Sequence, residues 1–198
     1  MSGPVRQAGT SVLGDGARLV WSVADGRRGR RWRAAATVDG AISHALLLEV
    51  DLDGRPSRLE LATAAGMLTL HPERSHEALH GNVVAVDGVR HLRLPWSDEH
   101  GLEIADRPLA TVVTVHRLAG SMEVGEERTV PVIMITADLA VSEATRRFIR
   151  LGPSEWRIEG EGDASRASSG RLVAVDGRGL PSGLRDGLEW PLELATPG

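Results

Sequence analysis

Asp-Gly recurs between short β-prone runs along most of this chain, at 25–26, 39–40, 53–54, 87–88 and 176–177. Glycine accepts the positive φ of a tight turn, so Asp-Gly between such runs is a strong local hairpin signal. The runs it punctuates include RLVWSVA (18–24), RWRAAATVD (31–39), HALLLEVDLD (44–53), SRLELAT (57–63) and MLTLH (67–71). They continue with NVVAVD (82–87), VRHLRLP (89–95), LATVVTVHRL (109–118), TVPVIMITADL (129–139), WRIEG (156–160), GRLVAVD (170–176) and LEWPLEL (188–194). Many short strands at regular spacing predict an all-β fold, an antiparallel β-roll or partly open barrel. One or two short helices are expected beside it. Residues 72–79 have Pro72 at the first helical position, and residues 142–149 have Ser142 as a cap. Residues 1–17 read as a flexible N-terminal segment and 18–194 as a single β-rich domain.

Alternation assigns the faces. Trp32, Ala34, Ala36 and Val38 share one side of their run, and Arg31, Arg33 and Thr37 share the other. His44, Leu46, Leu48, Val50 and Leu52 oppose Glu49, Asp51 and Asp53. Such runs are half-buried strands. TVPVIMITADL is apolar on both faces and reads as a central strand.

Composition narrows the function. With 198 residues and 41% hydrophobic content, the chain can build a core. The net charge of -4 gives no electrostatic case for nucleic acid. There is no cysteine, which excludes disulfides, thiolate metal sites and a cysteine nucleophile. No apolar run approaches the roughly 20 residues that span a bilayer, and the first residues lack a signal-like apolar core. The expectation is a cytoplasmic protein with no membrane span and no cofactor. The oligomeric state is open.

HEALH at 76–80 matches the His-Glu-x-x-His pattern of zinc proteases. On a helix, positions i and i+4 share a face, so His76 and His80 would converge on one metal and Glu77 would activate its water. Here Gly81 would end that helix one residue past the second ligand, and a strand-like run follows at once. A zinc protease is therefore disfavoured, with His76 and His80 kept as an alternative metal pair.

The next hairpin carries more. With Asp87-Gly88 as the turn, Val86, Val84 and Asn82 face Val89, His91 and Arg93, all on one side. That side is apolar near the turn and polar at its far end, as a cavity rim would be. Asn82, His91 and Arg93 are thus candidate ligand-binding residues. Trp96 precedes the polar cluster Ser97-Asp98-Glu99-His100, and Arg117 shares a face with Val113 and Val115 on the run at 109–118. An arginine there could meet an anionic head group, so Trp96 and Arg117 join the candidates. For an enzyme, His91 or His100 would act as acid/base with Asp98 or Glu99 as partner.

WRAAATVD, then LLLEVDLDGRPSRLEL, then ALHGNVV running into a hairpin, with LPW and the long TVPVIMITADLAV run after it, form an order of elements that resembles the bacterial glycolipid-binding domain family. The resemblance also takes in RRFIRL, WRIEG, and the closing LVAVDGRGL and EWPLEL, and covers about residues 18–194. Where that family's pattern has a cysteine after Leu-x-Gly, this chain has Asn82. The resemblance implies a β-roll, compared in shape with lipoprotein-carrier half-barrels, that binds an unnamed ligand. The leading expectation is a protein with a cavity for an apolar or amphipathic small molecule, lipid or glycolipid-like. The alternatives are an enzyme using the same cavity, and a protein-interaction module without a small ligand.

Overall fold

The computed structural model describes residues 6–13, 16–73, 75, 77–105, 107, 109–160, 170–182 and 193–194. Eight strands form an antiparallel meander: β1 (Arg6–Val12), β2 (Arg18–Gly26), β3 (Gly29–Val38), β4 (Ala41–Val50), β5 (Pro56–Thr63), β6 (Gly66–Pro72), β7 (Ala78–Ala85) and β8 (Gly88–Pro95). After them come β9 (Gly101–Ile104), α1 (Leu109–Ala119), β10 (Glu127–Ile135), β11 (Val141–Arg150), β12 (Glu155–Gly160), β13 (Arg171–Ala174) and β14 (Glu193–Leu194). The large sheet runs β14-β1-β2-β3-β4-β5-β6-β7-β8 and the small one β13-β12-β11-β10-β9. The fold is all-β, with one helix among the described residues. No described helix is long and apolar enough to cross a membrane.

The predicted faces hold through most of the sheet. Leu19, Trp21, Val23, Trp32, Ala34, Ala36, Leu46, Leu48, Leu59, Leu61, Leu68 and Leu70 bury on the inner face of the large sheet. They belong to one continuous core with α1 and the small sheet. Trp21 and Trp32 meet there at 5.9 Å between ring centroids. The run at 129–139 forms β10, which is internal to its sheet. Arg6–Val12 forms β1 inside the segment expected to be flexible. Of the late run at 188–194, only Glu193–Leu194 lies within the described residues.

Three element assignments change. The run at 109–118, expected as a strand, is α1. Its valines and threonines disfavour helix, but β9 and β10 pair in parallel, Gly101↔Val132 to Ile104↔Ile135. Parallel neighbours need a crossover, which a helix supplies. Eight of its eleven residues are buried, so it is a core helix rather than an amphipathic one. Gly101 permits its seating on β9, because a Cβ there would lie 2.8 Å from Thr114 Cγ2. The Leu102 N–H donates to Thr114 Oγ1 at 3.3 Å.

The two expected helices do not form. Residues 141–150 are β11, with Phe148 buried and Glu143 and Arg147 exposed. Of the described residues in 72–79, Pro72 ends β6, Ala78 and Leu79 open β7, and the Glu73 N–H donates to Ala78 O at 2.8 Å. The turn chemistry also shifts. Only Asp39-Gly40 fills a two-residue hairpin turn as predicted, with φ of 51° and 81°. In the β7–β8 hairpin the turn is Val86-Asp87, and Gly88 opens β8 at φ 131°. The pairs are Val84↔Val89, Asn82↔His91 and His80↔Arg93, two residues from the expected register. A two-residue slip keeps every side chain on its face.

Candidate functional site

The inner face of the large sheet carries core packing, so its outer face is where the sequence is free to do something else. Strand registers set the order on that face. Val20 pairs with Ala35, Ala35 with Ala45, Ala45 with Ala62, Ala62 with Met67, Met67 with Val84, and Val84 with Val89. Directly paired residues point the same way, so this is one unbroken apolar row across seven strands, about 29 Å long at the usual strand spacing. Val20, Met67, Val84 and Val89 in it are exposed at 55%, 42%, 50% and 59%.

One step along the strands lies a mixed row: Ser22, Arg33, Leu47, Glu60, Thr69, Asn82 and His91. A further step brings Ala24, Arg31, Glu49 and Arg58. The three alanines are low ground between Val20 and Met67. Over them is an apolar groove of about 510 Å³, bordered by Ala8, Leu47, Arg33 and Glu60. At Glu60 the groove meets a bowl of about 1100 Å³, formed by the β2–β3 hairpin, the end of β4, and parts of β5 and β6.

The bowl is densely charged. It presents Arg27, Arg28, Arg30, Arg31 and Arg58 beside Asp25, Glu49, Asp51 and Glu60, with Thr69 and His71. Its carboxylates are already engaged. Arg30 Nε donates to Asp25 at 2.6 Å, and Arg31 Nε to Glu49 at 2.6 Å. Arg58 is hydrogen-bonded to Glu60, which raises the guanidinium pKa further. Asp51 Oδ1 accepts the N–H groups of Asp53 and Arg55, each at 2.9 Å.

The sequence-nominated residues fall in two places. Asn82, His91 and Arg93 lie on this outer face, toward the β8 edge, and line neither groove nor bowl. His91 Nδ1 and Asn82 Oδ1 are 2.6 Å apart in solvent. The structure therefore does not place them at the rim of an interior cavity.

Trp96, Asp98, Glu99, His100 and Arg117 do come together, around the turn that precedes β9. Trp96 is 5% exposed and stacks on His100 at 5.2 Å. The Ser97 N–H donates to His100 Nδ1 at 3.0 Å, with the Ser97 hydroxyl at 2.9 Å. A donor on Nδ1 puts the neutral ring's proton on Nε2, 3.5 Å from Glu143 Oε1. The carboxylate that meets His100 is thus Glu143, while that of Asp98 pairs with Arg55 at 3.2 Å.

Arg117 sits in the last turn of α1 rather than on a strand. It donates to the carbonyls of Asp98, Glu99 (2.9 Å) and His100 (3.0 Å). Burial first, and then Arg55, lower its pKa from the usual arginine value. These bonds fasten the 98–100 turn to α1, where Arg117, Asp98 and Glu99 line a cavity of about 610 Å³ with Arg55 and Arg128.

Within HEALH, Ala78, Leu79 and His80 are strand rather than helix. His80 lies in β7 opposite His71, rings stacked at 6.2 Å, and 3.9 Å from Glu73. His76 lies outside the described residues. The metal reading depended on a helix through His80, which lies in a strand instead, and the described residues hold no group of three or more metal-ligating side chains.

No protein-family model matches this chain. No curated protein matches it either. Among solved structures, it is similar to the crystal structure of a DUF1089 family protein from Pseudomonas aeruginosa. The TM-score is 0.54 at 16% identity, covering 95% of this chain and 92% of that one. Likeness at that identity concerns the fold.

Proposed function

We propose that this protein binds a lipid or glycolipid-like amphipathic molecule on the outer face of its large sheet. The apolar part lies in the alanine-floored groove and the polar head reaches the bowl. The observation that carries this reading is the banding of the face: an uninterrupted apolar row, then a mixed row, then a charged one, with groove and bowl joined at Glu60. A groove of about 510 Å³ is within the range of small-molecule sites.

Calorimetric titration tests it with alkyl maltosides and alkyl phosphates of eight, ten and twelve carbons, each below its micelle concentration. Each methylene taken from water contributes about 0.8 kcal/mol, so affinity rises by up to roughly fourfold per carbon in any series that binds. Ala45→Glu, which sets a charge on the groove floor, flattens that dependence at unchanged melting temperature. Affinity independent of chain length, or no binding in either series, contradicts the reading.

A further inference from the structure

We infer that the head group of this amphipathic ligand is an oxyanion of the phosphate, sulfate or carboxylate class, held by Arg27 and Arg28 at the tip of the β2–β3 hairpin; this rests on the binding reading above. The bowl's five arginines exceed its four carboxylates by one charge. The partners made by those carboxylates leave out two of the five. Asp25 is taken by Arg30, Glu49 by Arg31, Glu60 by Arg58, and Asp51 by backbone N–H groups. Arg27 and Arg28 line the bowl and make no hydrogen bond or ion pair with any described residue. Among the bowl's five arginines, Arg27 and Arg28 are therefore the two without an anion among the described residues, side by side at one end of the trough.

Their backbone is held in place. Arg27 and Arg28 are the two turn residues between the paired Gly26 and Gly29. Gly29 has φ 126°, and a Cβ on it would lie 2.0 Å from Val50 O, so the hairpin closes directly onto the end of β4. Arg30 ties the same hairpin to the carbonyl of Arg178 at 2.5 Å. Two forked donors on a fixed turn suit a planar or tetrahedral oxyanion. A neutral head would leave both guanidinium groups in water and gain nothing from them.

The experiment compares dodecyl phosphate, dodecyl maltoside, inorganic phosphate and phosphatidylglycerol vesicles, on the intact protein and on the Arg27→Ser/Arg28→Ser variant. Hydrogen bonds to charged groups contribute about 1.5–3 kcal/mol, so dodecyl phosphate is expected to bind at least about tenfold more tightly than dodecyl maltoside. The variant loses that preference, keeps its maltoside affinity and melts at the same temperature. Added salt shrinks the preference in the intact protein, because the pair is solvent-exposed.

Equal affinity for the two heads, or a preference that survives in the variant, overturns the inference and leaves the binding reading standing. Failure of both dodecyl compounds to bind overturns both. Inorganic phosphate binding as tightly as dodecyl phosphate also overturns both, since the apolar row would then contribute nothing. Binding to vesicles without binding to monomeric dodecyl phosphate makes a membrane surface the partner and overturns the inference.

Discussion

Glu103 is an acid inside the small sheet, 7% exposed, and two arginines hold it there. Arg146 Nε donates to it at 2.7 Å and Arg171 at 3.1 Å. Removing one charge from a buried cluster strands the others. Glu103→Gln is expected to destabilise the fold by about 3–5 kcal/mol in chemical denaturation. Arg117→Met should cost about 1–3 kcal/mol by releasing the carbonyls of residues 98–100, with little effect on ligand affinity. His116 gives a pH signature. Burial first, then Arg30, lower its pKa, against the pull of Asp176 and Asp25. The unfolded imidazole, at about 6.5, takes up its proton before the folded one. Its contribution to stability is therefore complete above that value and is lost as pH falls through the lower folded pKa. His116→Asn is expected to flatten the fall in melting temperature on the acid side of about pH 6.5. None of these three roles is visible in the sequence. Arg117 reads there as an anion binder on a strand end, because its partners lie seventeen to nineteen residues upstream. Nothing in the sequence around Glu103 points to its partners, which are on β11 and β13.

At the level of elements, α1 is where local preference and tertiary demand disagree most. LATVVTVHRL is β-branched and apolar on every side, and an all-round apolar run fits a buried strand and a buried helix equally. What decides is the parallel pairing of β9 with β10, a long-range fact with no local signature. Gly101→Val is the test of that packing. Its side chain would press on Thr114 and Val132, and a loss of about 1–3 kcal/mol in unfolding free energy is expected. A neutral outcome would mean that α1 can shift off β9. The strands of the meander were far more legible, because alternation is a short-range pattern. Their turns were less so. Asp-Gly located the hairpins correctly but fixed the turn residues only at Asp39-Gly40, since turn type depends on the register that the buried faces choose.

At the scale of the molecule, the all-β class, the faces and the internal position of β10 could be read from the chain. The place of the candidate site could not. Alternation says which residues share a side, yet it does not say which side closes over the core. Nor does it say which residues of different strands end up abreast. Val20, Ala35, Ala45, Ala62 and Met67 are separated by as many as seventeen positions and become neighbours only through four successive registers. The expected interior rim of Asn82, His91 and Arg93 thus faces outward, and the groove lies elsewhere on the same face. A methyl carbon–proton NMR titration with dodecyl phosphate tests most directly whether the outer face of the large sheet binds the ligand. Binding on the outer face shifts Val20, Ala35, Ala45, Ala62 and Met67 and leaves Leu48, Leu61, Val112 and Val115 of the core unmoved. Shifts centred on those core methyls instead, with the outer row silent, would place the ligand inside the fold and contradict it.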